Sequence, residues 1–405
     1  MATAPDPPKV FVLNVYAGYQ CRHAGACCTA GWHVPLEADR LTRLRAALAG
    51  GTLAAPGLPR DAGSTATDAG CFSTEMPPDG TAAVIQLDRA GACVFFDRRA
   101  GRLCAIQRDC GHDQLPAACQ QFPRVALIDA RGTHLTLSHF CPTAAQMLFR
   151  DDIDDLSIVS DPPGAIRPNS YEGFDATKTI PPLVRPGLVA DLDTAATWDG
   201  FAVASLGRGA VAPEVALAGM IGAAERIRQW KPGAVSLADA ARGACGAALS
   251  AIERDTVRMA PAEAVRLFTT AVAAVPEGLA RPALPGGVDR TYERWIAPVW
   301  SQWSRPIGRY LAARAFAAWS AYCGEGLRTQ IGMLAVALGV LTVELARQAA
   351  TAGRRLDADL LCEAIRQADF LLIHLASGEN LARRMSHVEG MPRRAYVAAI
   401  GFDQV

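Results

Sequence analysis

Residues 21–28 read Cys21-Arg22-His23-Ala24-Gly25-Ala26-Cys27-Cys28, so three thiols, two of them adjacent, lie in one short string. Nine of the twelve cysteines in this chain of 405 residues lie in its first 141 residues. Packing does not explain this density, because a buried cysteine acts as a small hydrophobe and scattered single cysteines serve that purpose. Thiols at such loop-like spacing are typical of ligands to a metal ion or an iron–sulfur cluster. The sequence therefore predicts a metal centre in its N-terminal part.

Seven cysteines are the candidate metal ligands: Cys21, Cys27, Cys28, Cys93, Cys104, Cys119 and Cys141. Gly25 supplies a turn that brings the close thiols together, and the fold must bring in the distant ones. One zinc ion or one four-iron cluster takes about four thiolates, so the site holds a cluster plus a zinc, or some thiols are bystanders. Cys71 and Cys110 are further candidates. The other three cysteines lie in apolar helical surroundings and are predicted packing residues: Cys245, Cys323 and Cys362.

Histidines are concentrated in the same part of the chain, and histidine is a competent metal ligand. His23 lies inside the thiol string and His112 lies beside a cysteine, so each is a candidate ligand, with a polar loop histidine as the alternative. His139 is interpreted as such a loop residue and His374 as an ordinary helix residue.

Two other residues near the thiols have a functional and a structural interpretation. In the functional interpretation Trp32 shields the site from solvent, and in the structural interpretation it is a core residue. Arg124 offsets the negative charge of a thiolate-bound cluster in the first and is an exposed arginine in the second.

Composition and charge limit the classes of partner. Apolar residues make up 50% of the chain, which is enough for a sizeable core, and Lys plus Arg balance Asp plus Glu at 40 each. A neutral chain gives no electrostatic reason to expect a nucleic acid or an anionic membrane. The longest apolar run, residues 331–343, is shorter than the ~18–20 residues of a membrane span. We expect no nucleic-acid partner, no membrane span and a cytoplasmic location, where thiols stay reduced.

The sequence predicts a mainly α chain in three parts. A small cysteine-rich α+β or irregular metal-binding domain covers residues 1–160, a linker-like segment covers 161–212, and an all-α domain covers 213–405. The first part contains a predicted helix (35–49), strand-like runs (84–87 and 93–96) and a hairpin (125–129 with 133–137). Prolines, capping residues and apolar periodicity predict helices over 213–230, 236–254, 261–275, 289–303, 306–322, 327–350 and 357–375. The helix over 327–350 is either bundle core or a partner-binding groove.

The cysteine motifs follow one another in a recognisable order. They are Tyr19-Gln20-Cys21, Gly25-Ala26-Cys27-Cys28, Gly31-Trp32, Gly91-Ala92-Cys93, Leu103-Cys104-Ala105-Ile106-Gln107, Leu115-Pro116-Ala117-Ala118-Cys119, Phe122-Pro123-Arg124 and Phe140-Cys141-Pro142. This set resembles a cysteine-cluster family described as zinc- or iron-chelating, and within it most resembles the flagellin lysine-N-methylase branch. Ala24 stands where that family has a further cysteine, so a metal is missing here or His23 or Cys71 substitutes.

The resemblance implies an iron–sulfur cluster of the 4Fe-4S type, or a zinc. For the named branch it also implies methylation of lysines on a protein substrate such as flagellin, with S-adenosylmethionine as the donor. The sequence shows no donor site, because the nearest glycine-rich string, residues 207–212, is a poor match and is typical of a linker turn. Catalytic and cofactor-binding residues stay unidentified. Two alternatives remain: a non-catalytic zinc- or iron-chelating structural or interaction protein, and a metal carrier or sensor with labile binding.

Overall fold

The computed structural model describes residues 9–58, 68–75, 80–99, 101, 103–162, 173–251, 258–387 and 393–402. The fold is mainly α, as the sequence predicts. Its strands are β1 (Val10–Leu13), β2 (Val34–Leu36), β3 (Phe72–Ser73), β4 (Ala83–Ile85), β5 (Phe96–Asp97), β6 (Leu103–Cys104), β7 (Arg124–Asp129), β8 (Gly132–Leu137), β9 (Ile158–Ser160), β10 (Gly173–Asp175), β11 (Leu183–Arg185) and β12 (Leu188–Val189).

The α-helices extend over both halves of the chain. They are α1 (Ala38–Ala49), α2 (Asp68–Cys71), α3 (Ala105–Cys110), α4 (Ala117–Gln121), α5 (Pro142–Met147), α6 (Leu192–Gly207), α7 (Pro213–Arg228), α8 (Leu237–Ala251), α9 (Pro261–Val272), α10 (Val288–Thr291), α11 (Ser304–Ala315), α12 (Ser320–Cys323), α13 (Leu327–Ala352), α14 (Ala358–Asp369), α15 (Gly378–Ser386) and α16 (Arg393–Ala399). Two π-helical segments, Tyr292–Ile296 and Phe370–Leu375, continue α10 and α14.

Most predicted helices of the second half are present with shifts of a few residues at their ends. The stretch 306–322 is two helices, α11 and α12, since the chain between them leaves the helical conformation at Phe316. Residues 252–254, the end of one predicted helix, lie outside the described residues. The helix predicted over 35–49 begins only at Ala38, because Val34–Leu36 pairs with β4 as a strand.

Two separate sheets organise the N-terminal half. The larger has the strand order β10-β7-β8-β1-β9, and its centre is the predicted hairpin, with Arg124 paired to Leu137 and Asp129 to Gly132. The smaller has the order β2-β4-β3 and carries a core of its own. The two- and three-residue strands of this smaller sheet and the nearby β5–β6 pair form the frame around the cysteines.

The large sheet packs into the same core as the helices. Leu13 and Leu137 from the sheet share one continuous apolar cluster with helical residues such as Leu338. Helix α6 lies inside the stretch interpreted as linker-like, and its Trp198 and Phe201 are buried in that cluster. Residues 192–207 are therefore a core element and not a linker, while residues 163–172 of that stretch lie outside the described part of the chain. The three-part division of the chain is not confirmed.

Helix α13 is the central element of the helical half. It is long and apolar enough to cross a membrane, and 89% of its most apolar window is buried by the rest of the chain. It packs against α9, α14 and α7, which agrees with the interpretation as bundle core. The glycine-rich string 207–212 joins α6 to α7, so it connects two helices and not a strand to a helix.

The crossing of α6 and α11 depends on a glycine. A Cβ added at Gly308 would lie closer than 3.0 Å to the carbonyl oxygen of Leu206, whereas one added at Gly243 on α8 would meet nothing within 4 Å. We expect Gly308→Ala to destabilise the protein by about 1–3 kcal/mol, since backbone must move to make room. The matched Gly243→Ala is expected to stabilise it by about 0.5–1 kcal/mol through helix propensity. Urea unfolding of both variants measures the two effects, and equal effects would contradict the close approach.

Candidate metal centre

Five of the seven predicted ligands line one cavity of about 250 Å³, here called the thiol cavity. These are Cys27, Cys28, Cys93, Cys104 and Cys119. Apolar side chains such as Ile106 and Leu115 complete the wall, and no lysine, arginine, aspartate or glutamate is among the lining residues in the described chain. The cavity is more than tenfold larger than the ~10–15 Å³ that one water needs. It therefore offers soft sulfur donors in an apolar setting with room for a group of several atoms.

Backbone hydrogen bonds bring Cys27, Cys28 and Cys93 together. Gly25 has φ of +76°, and the Cys28 N–H donates to the Gly25 carbonyl at 3.1 Å, which confirms the predicted glycine turn. A left-handed φ of this kind favours glycine. The Cys93 N–H donates to the Cys28 carbonyl at 2.8 Å. The thiol string is thereby fixed to a segment more than sixty residues away along the chain.

The other two thiols stand at the starts of short helices. Cys104 ends β6 and directly precedes α3, and the Ala105 N–H donates to the Phe95 carbonyl at 2.8 Å. Cys119 lies in α4, whose first N–H, that of Ala117, donates to the Glu37 carboxylate at 3.1 Å. A carboxylate at a helix N-terminus satisfies an otherwise unpaired donor and fixes the helix.

The adjacent pair Cys27 and Cys28 forms a close sulfur contact. The sulfur atoms of Cys27 and Cys28 are 3.9 Å apart. The hydrogen bond between the two thiols lowers the pKa of Cys27 and raises that of Cys28. Among the described residues, no group of three or more His, Cys, Asp or Glu side chains converges closely enough to hold a single metal ion.

The remaining thiols of the cavity are held in the neutral form by their surroundings. Burial raises the pKa of Cys93 to about 12, and burial likewise raises the pKa values of Cys104 and Cys119. Desolvation disfavours the thiolate, and a bound cation reverses this effect. Apolar thiols of this kind become ligands only when a metal ion supplies the positive charge.

Cys21 and Cys141, the other two predicted ligands, line an adjoining outer cavity of about 310 Å³. The two cavities have four cysteines in common: Cys27, Cys28, Cys104 and Cys119. Cys21 is exposed, whereas Cys141 is buried at the start of α5 with its sulfur 3.5 Å from the Tyr19 hydroxyl. Six of the seven predicted ligands therefore line the outer cavity, all but Cys93, and five line the thiol cavity, all but Cys21 and Cys141.

Only some of the other candidate residues lie near the thiols. His23 and His112 line the outer cavity, and Arg124 lies there with its guanidinium over the Tyr19 ring, 5.5 Å from the ring centroid. Cys71 is fully buried in the core of the small sheet, and neither it nor Cys110 lines either cavity. The structure therefore does not bring Cys71 to the place of the ligand that Ala24 lacks.

The two remaining cysteines whose side chains the structure describes have the predicted packing role. Cys245 is buried in the large core, and Cys362 is half-buried on α14. Burial raises the pKa of both thiols, to about 12 and about 11 respectively. The side chain of Cys323 lies outside the described part of the chain.

An aromatic cluster closes one side of the thiol cavity. Trp32, Phe122 and His374 line the cavity, and the Trp32 ring lies 4.6 Å from His374 and 5.6 Å from Phe122, centroid to centroid. Phe140 and Phe370 extend the cluster, 4.8 Å from each other. Trp32 therefore has both interpreted roles, since it packs in the cluster and covers the thiols.

Sequence reasoning missed His374, which lies more than 230 residues from three of the aromatic rings it meets, those of Trp32, Phe122 and Phe140. The π-helical segment Phe370–Leu375 carries it, and Ser138 Oγ lies 2.8 Å from its Nε2. π-Helical turns occur often at functional sites and change the face of the helix that a side chain occupies. Such a turn would have indicated His374, but the sequence does not reveal it.

A buried polar network connects the helical half to the segment that carries Cys141. Asp369 accepts hydrogen bonds from the backbone N–H of His139 at 2.6 Å and from the His139 ring, Nδ1, at 2.8 Å. Tyr16 OH lies 2.5 Å from His139 Nε2, and Tyr310 OH donates to Asp369 at 3.2 Å. His139 lies in the turn between β8 and α5, as interpreted, but it is almost completely buried and is therefore not a surface residue. The network fixes the chain two residues before Cys141.

His374 gives stability a specific dependence on pH. Burial lowers the pKa of His374 to about 4; Asp369 opposes this shift and Arg314 adds to it. The unfolded imidazole titrates near ~6.5, so neutral His374 stabilises the fold fully above that pH, and this contribution is lost as the pH falls toward about 4. The loss amounts to about 3 kcal/mol.

The matched variant for this prediction is His374→Phe, which keeps an aromatic ring in the cluster. We expect the free energy of unfolding of the natural protein to fall by about 3 kcal/mol relative to His374→Phe between pH 7.5 and pH 4. Urea unfolding at several pH values measures the difference. A constant difference across this range would show that the buried imidazole titrates normally.

Comparison with known proteins adds no relative: no family model matches the chain, no curated protein is similar to it, and no solved structure matches its fold.

Proposed function

We propose that the chain is an iron–sulfur protein and that four of the five thiols of the thiol cavity hold the cluster. The observation that carries the proposal is that five cysteines from separate segments line one apolar cavity without a charged side chain among the described lining residues. A four-iron cluster takes one cysteine for each iron, so its ligands stand around a volume and need not converge on one point. The donor set and the size of the cavity both fit this group.

Named residues of the chain have definite tasks in such a centre. Cys27, Cys28, Cys93, Cys104 and Cys119 are the candidate ligands, and a cluster bound by them supplies electron transfer or a structural cross-link. Trp32, Phe122 and His374 exclude water on one side. Solvent exclusion and the surrounding dipoles set the potential of such a group. The exposed Cys21 marks the outer cavity as the side open to solvent.

We further propose that the protein methylates lysine side chains of a protein substrate such as flagellin. The support is the resemblance of the ordered cysteine motifs, which all lie in the described part of the chain between Tyr19 and Pro142. The neutral lysine amine would form a bond to the methyl carbon of S-adenosylmethionine while the carbon–sulfur bond breaks. The products are methyl-lysine, S-adenosylhomocysteine and one proton released to solvent. Positioning of the two reactants supplies most of the rate in such a transfer.

A transfer assay tests the activity. Protein purified without oxygen is incubated with flagellin and with S-adenosylmethionine labelled in its methyl group, and lysine-bound label is counted. We expect label that requires both the protein and the donor. No label on any lysine-bearing substrate from metal-loaded protein would contradict the proposed activity while leaving the metal centre untouched.

One observation favours a second candidate function, a non-catalytic zinc- or iron-chelating structural or interaction module. The Cys27–Cys28 sulfur separation of 3.9 Å is near the edge of a tetrahedron with Zn–S bonds of about 2.3 Å, roughly 3.8 Å. The surrounding strands are only two or three residues long, and a metal would cross-link them. This candidate predicts that chelation unfolds the small sheet and that no activity accompanies the metal.

A further inference from the structure

A third cavity, here called the Arg314 cavity, lies between the large sheet and the helices and has a volume of about 110 Å³. Thr136 from β8, Trp198 from α6 and Met220 from α7 line it, as does Trp319. Leu372 and Ile373 line it from the same π-helical segment whose His374 lines the thiol cavity. None of the candidate metal ligands contributes to its wall.

Arg314 gives this cavity, whose wall is both polar and apolar, one positive charge. Its side chain is only 18% exposed, and its nearest ionic partner is Asp369 at 3.7 Å, beyond hydrogen-bonding distance. Asp369 is already satisfied by the two groups of His139 and by Tyr310. Among the described residues, Arg314 has no hydrogen-bond acceptor, although a guanidinium carries five N–H donors. A mostly buried arginine with unused donors is suited to an anion with paired oxygen atoms.

Gln330 adds a second donor to the same wall. Its carbonyl oxygen accepts from the Trp198 indole N–H at 3.1 Å, which orients the side chain and leaves the amide nitrogen as the remaining polar group. That nitrogen has no acceptor among the described residues. Arg314 and Gln330 together present N–H donors from which no described residue accepts, so this wall of the cavity is complementary to an acceptor.

Backbone strain is located at the rim of the cavity. Ala317, a lining residue between α11 and α12, has φ of +56°, the left-handed region that residues with a Cβ rarely adopt. Strain of this kind costs of order 1–3 kcal/mol and is concentrated at ligand sites. Gly378 on the opposite rim lies so close to the Trp319 ring that a Cβ there would overlap it. The ring and the strained turn together shape the opening.

We propose that the Arg314 cavity binds a small aliphatic monocarboxylate, with its carboxylate on Arg314 and Gln330 and its apolar body between Trp198 and Met220. The charge of the arginine selects the anion, and the apolar wall selects a carbon chain over a fully oxygenated anion. The volume suits a body of about four carbon atoms, since a cavity of ~150 Å³ takes benzene. The site does not rest on the proposed metal centre, and its test is independent of it.

The experiment titrates the full-length protein with isovalerate and follows heat and tryptophan fluorescence. We expect saturable one-site binding, with isovaleramide, the neutral analogue, and inorganic phosphate each about tenfold weaker or more. Arg314→Met, which keeps an apolar stem of similar length, is expected to lose at least about tenfold in affinity for isovalerate. Arg383→Met, at an exposed arginine paired with Glu379 on α15, is the matched control and should bind normally.

A second variant keeps the test decisive if Arg314→Met does not fold. Ala318→Leu fills the lining of the cavity without touching the charge, and it should abolish binding of isovalerate. Thermal melting of each variant checks that it is folded. Binding of isovaleramide or phosphate as tight as that of isovalerate, unchanged affinity in both variants, or no saturable binding by the natural protein would overturn the proposal.

Discussion

Replacing Cys104 and Cys119 together by alanine is expected to abolish the metal centre, so that the purified protein retains less than about a tenth of its iron. Cys104 ends β6 and Cys119 lies in α4, and both border the thiol cavity and the outer cavity. Their removal leaves Cys27, Cys28 and Cys93 in the thiol cavity, one thiol fewer than a four-cysteine cluster needs. A single replacement is less decisive, because five thiols surround a place for four.

The matched control removes two thiols elsewhere. Cys245→Ala with Cys362→Ala deletes the same atoms from α8 and α14, where neither cysteine borders a cavity with other thiols. Iron and sulfide content, measured per folded chain after purification without oxygen, should be unchanged in this control. Full iron content in the Cys104/Cys119 variant, or equal loss in both double variants, would contradict the assignment of the thiol cavity.

Replacing Asp369 by asparagine is expected to destabilise the protein by about 3–5 kcal/mol, the largest effect on stability we predict from one substitution outside the thiol cavity. The side chain is fully buried and accepts from both His139 groups and from Tyr310. Breaking a buried charged pair by removal of one partner has a cost of this size, because the other groups stay buried without their partner. The variant also releases the segment before Cys141 from α14.

The effect should depend on pH with a definite sign. Burial alone would raise the pKa of Asp369, yet His139 and Arg314 lower it overall. A folded-state pKa below the ordinary value of about 3.9 means that the carboxylate stabilises the fold fully above that pH, and the contribution is lost as the pH falls below it. The difference between the natural protein and Asp369→Asn in urea unfolding should therefore be constant from pH 5 to pH 8 and shrink toward pH 3.

Asp239→Asn is the control for this second prediction. Asp239 is exposed on α8 and pairs with Arg242 at 2.6 Å, so its loss should change stability by less than about 0.5 kcal/mol. A similarly small effect for Asp369→Asn would show that the buried network does not hold the two halves of the chain together.

Local signals in the sequence were sufficient for many elements. The hairpin of β7 and β8 follows from alternating residues around a short turn, and the starts of α7 and α9 follow from Pro213 and Pro261 at the first helical position. The Gly25 turn follows from the glycine between the close thiols, and the density of cysteines indicated a common site.

Local sequence signals could not predict the elements that depend on distant partners. β1 pairs in parallel with β8, which is more than a hundred residues away, and nothing within Val10–Leu13 specifies that partner. The pairing of His139 with Asp369 spans 230 residues. The interpretation of residues 192–207 as part of a linker also failed for this reason, since the burial of Trp198 and Phe201 depends on helices much later in the chain.

The candidate site likewise depends partly on local sequence signals and partly on contacts between distant residues. The cysteine pattern alone placed all seven candidate ligands in one set, and only the fold shows that Cys21 and Cys141 line the outer cavity and Cys93 the thiol cavity, while the other four border both. The π-helical segment Phe370–Leu375 has the same apolar pattern as an ordinary helix. It carries His374, which lines the thiol cavity.

The most direct measurement is an absorbance spectrum of protein purified without oxygen, combined with elemental analysis for iron, zinc and acid-labile sulfide. An iron–sulfur cluster in the thiol cavity predicts a broad band near about 400 nm, about four irons and a matching amount of sulfide per chain. A colourless protein that contains about one or two zinc ions and no sulfide would contradict the cluster and favour the structural module.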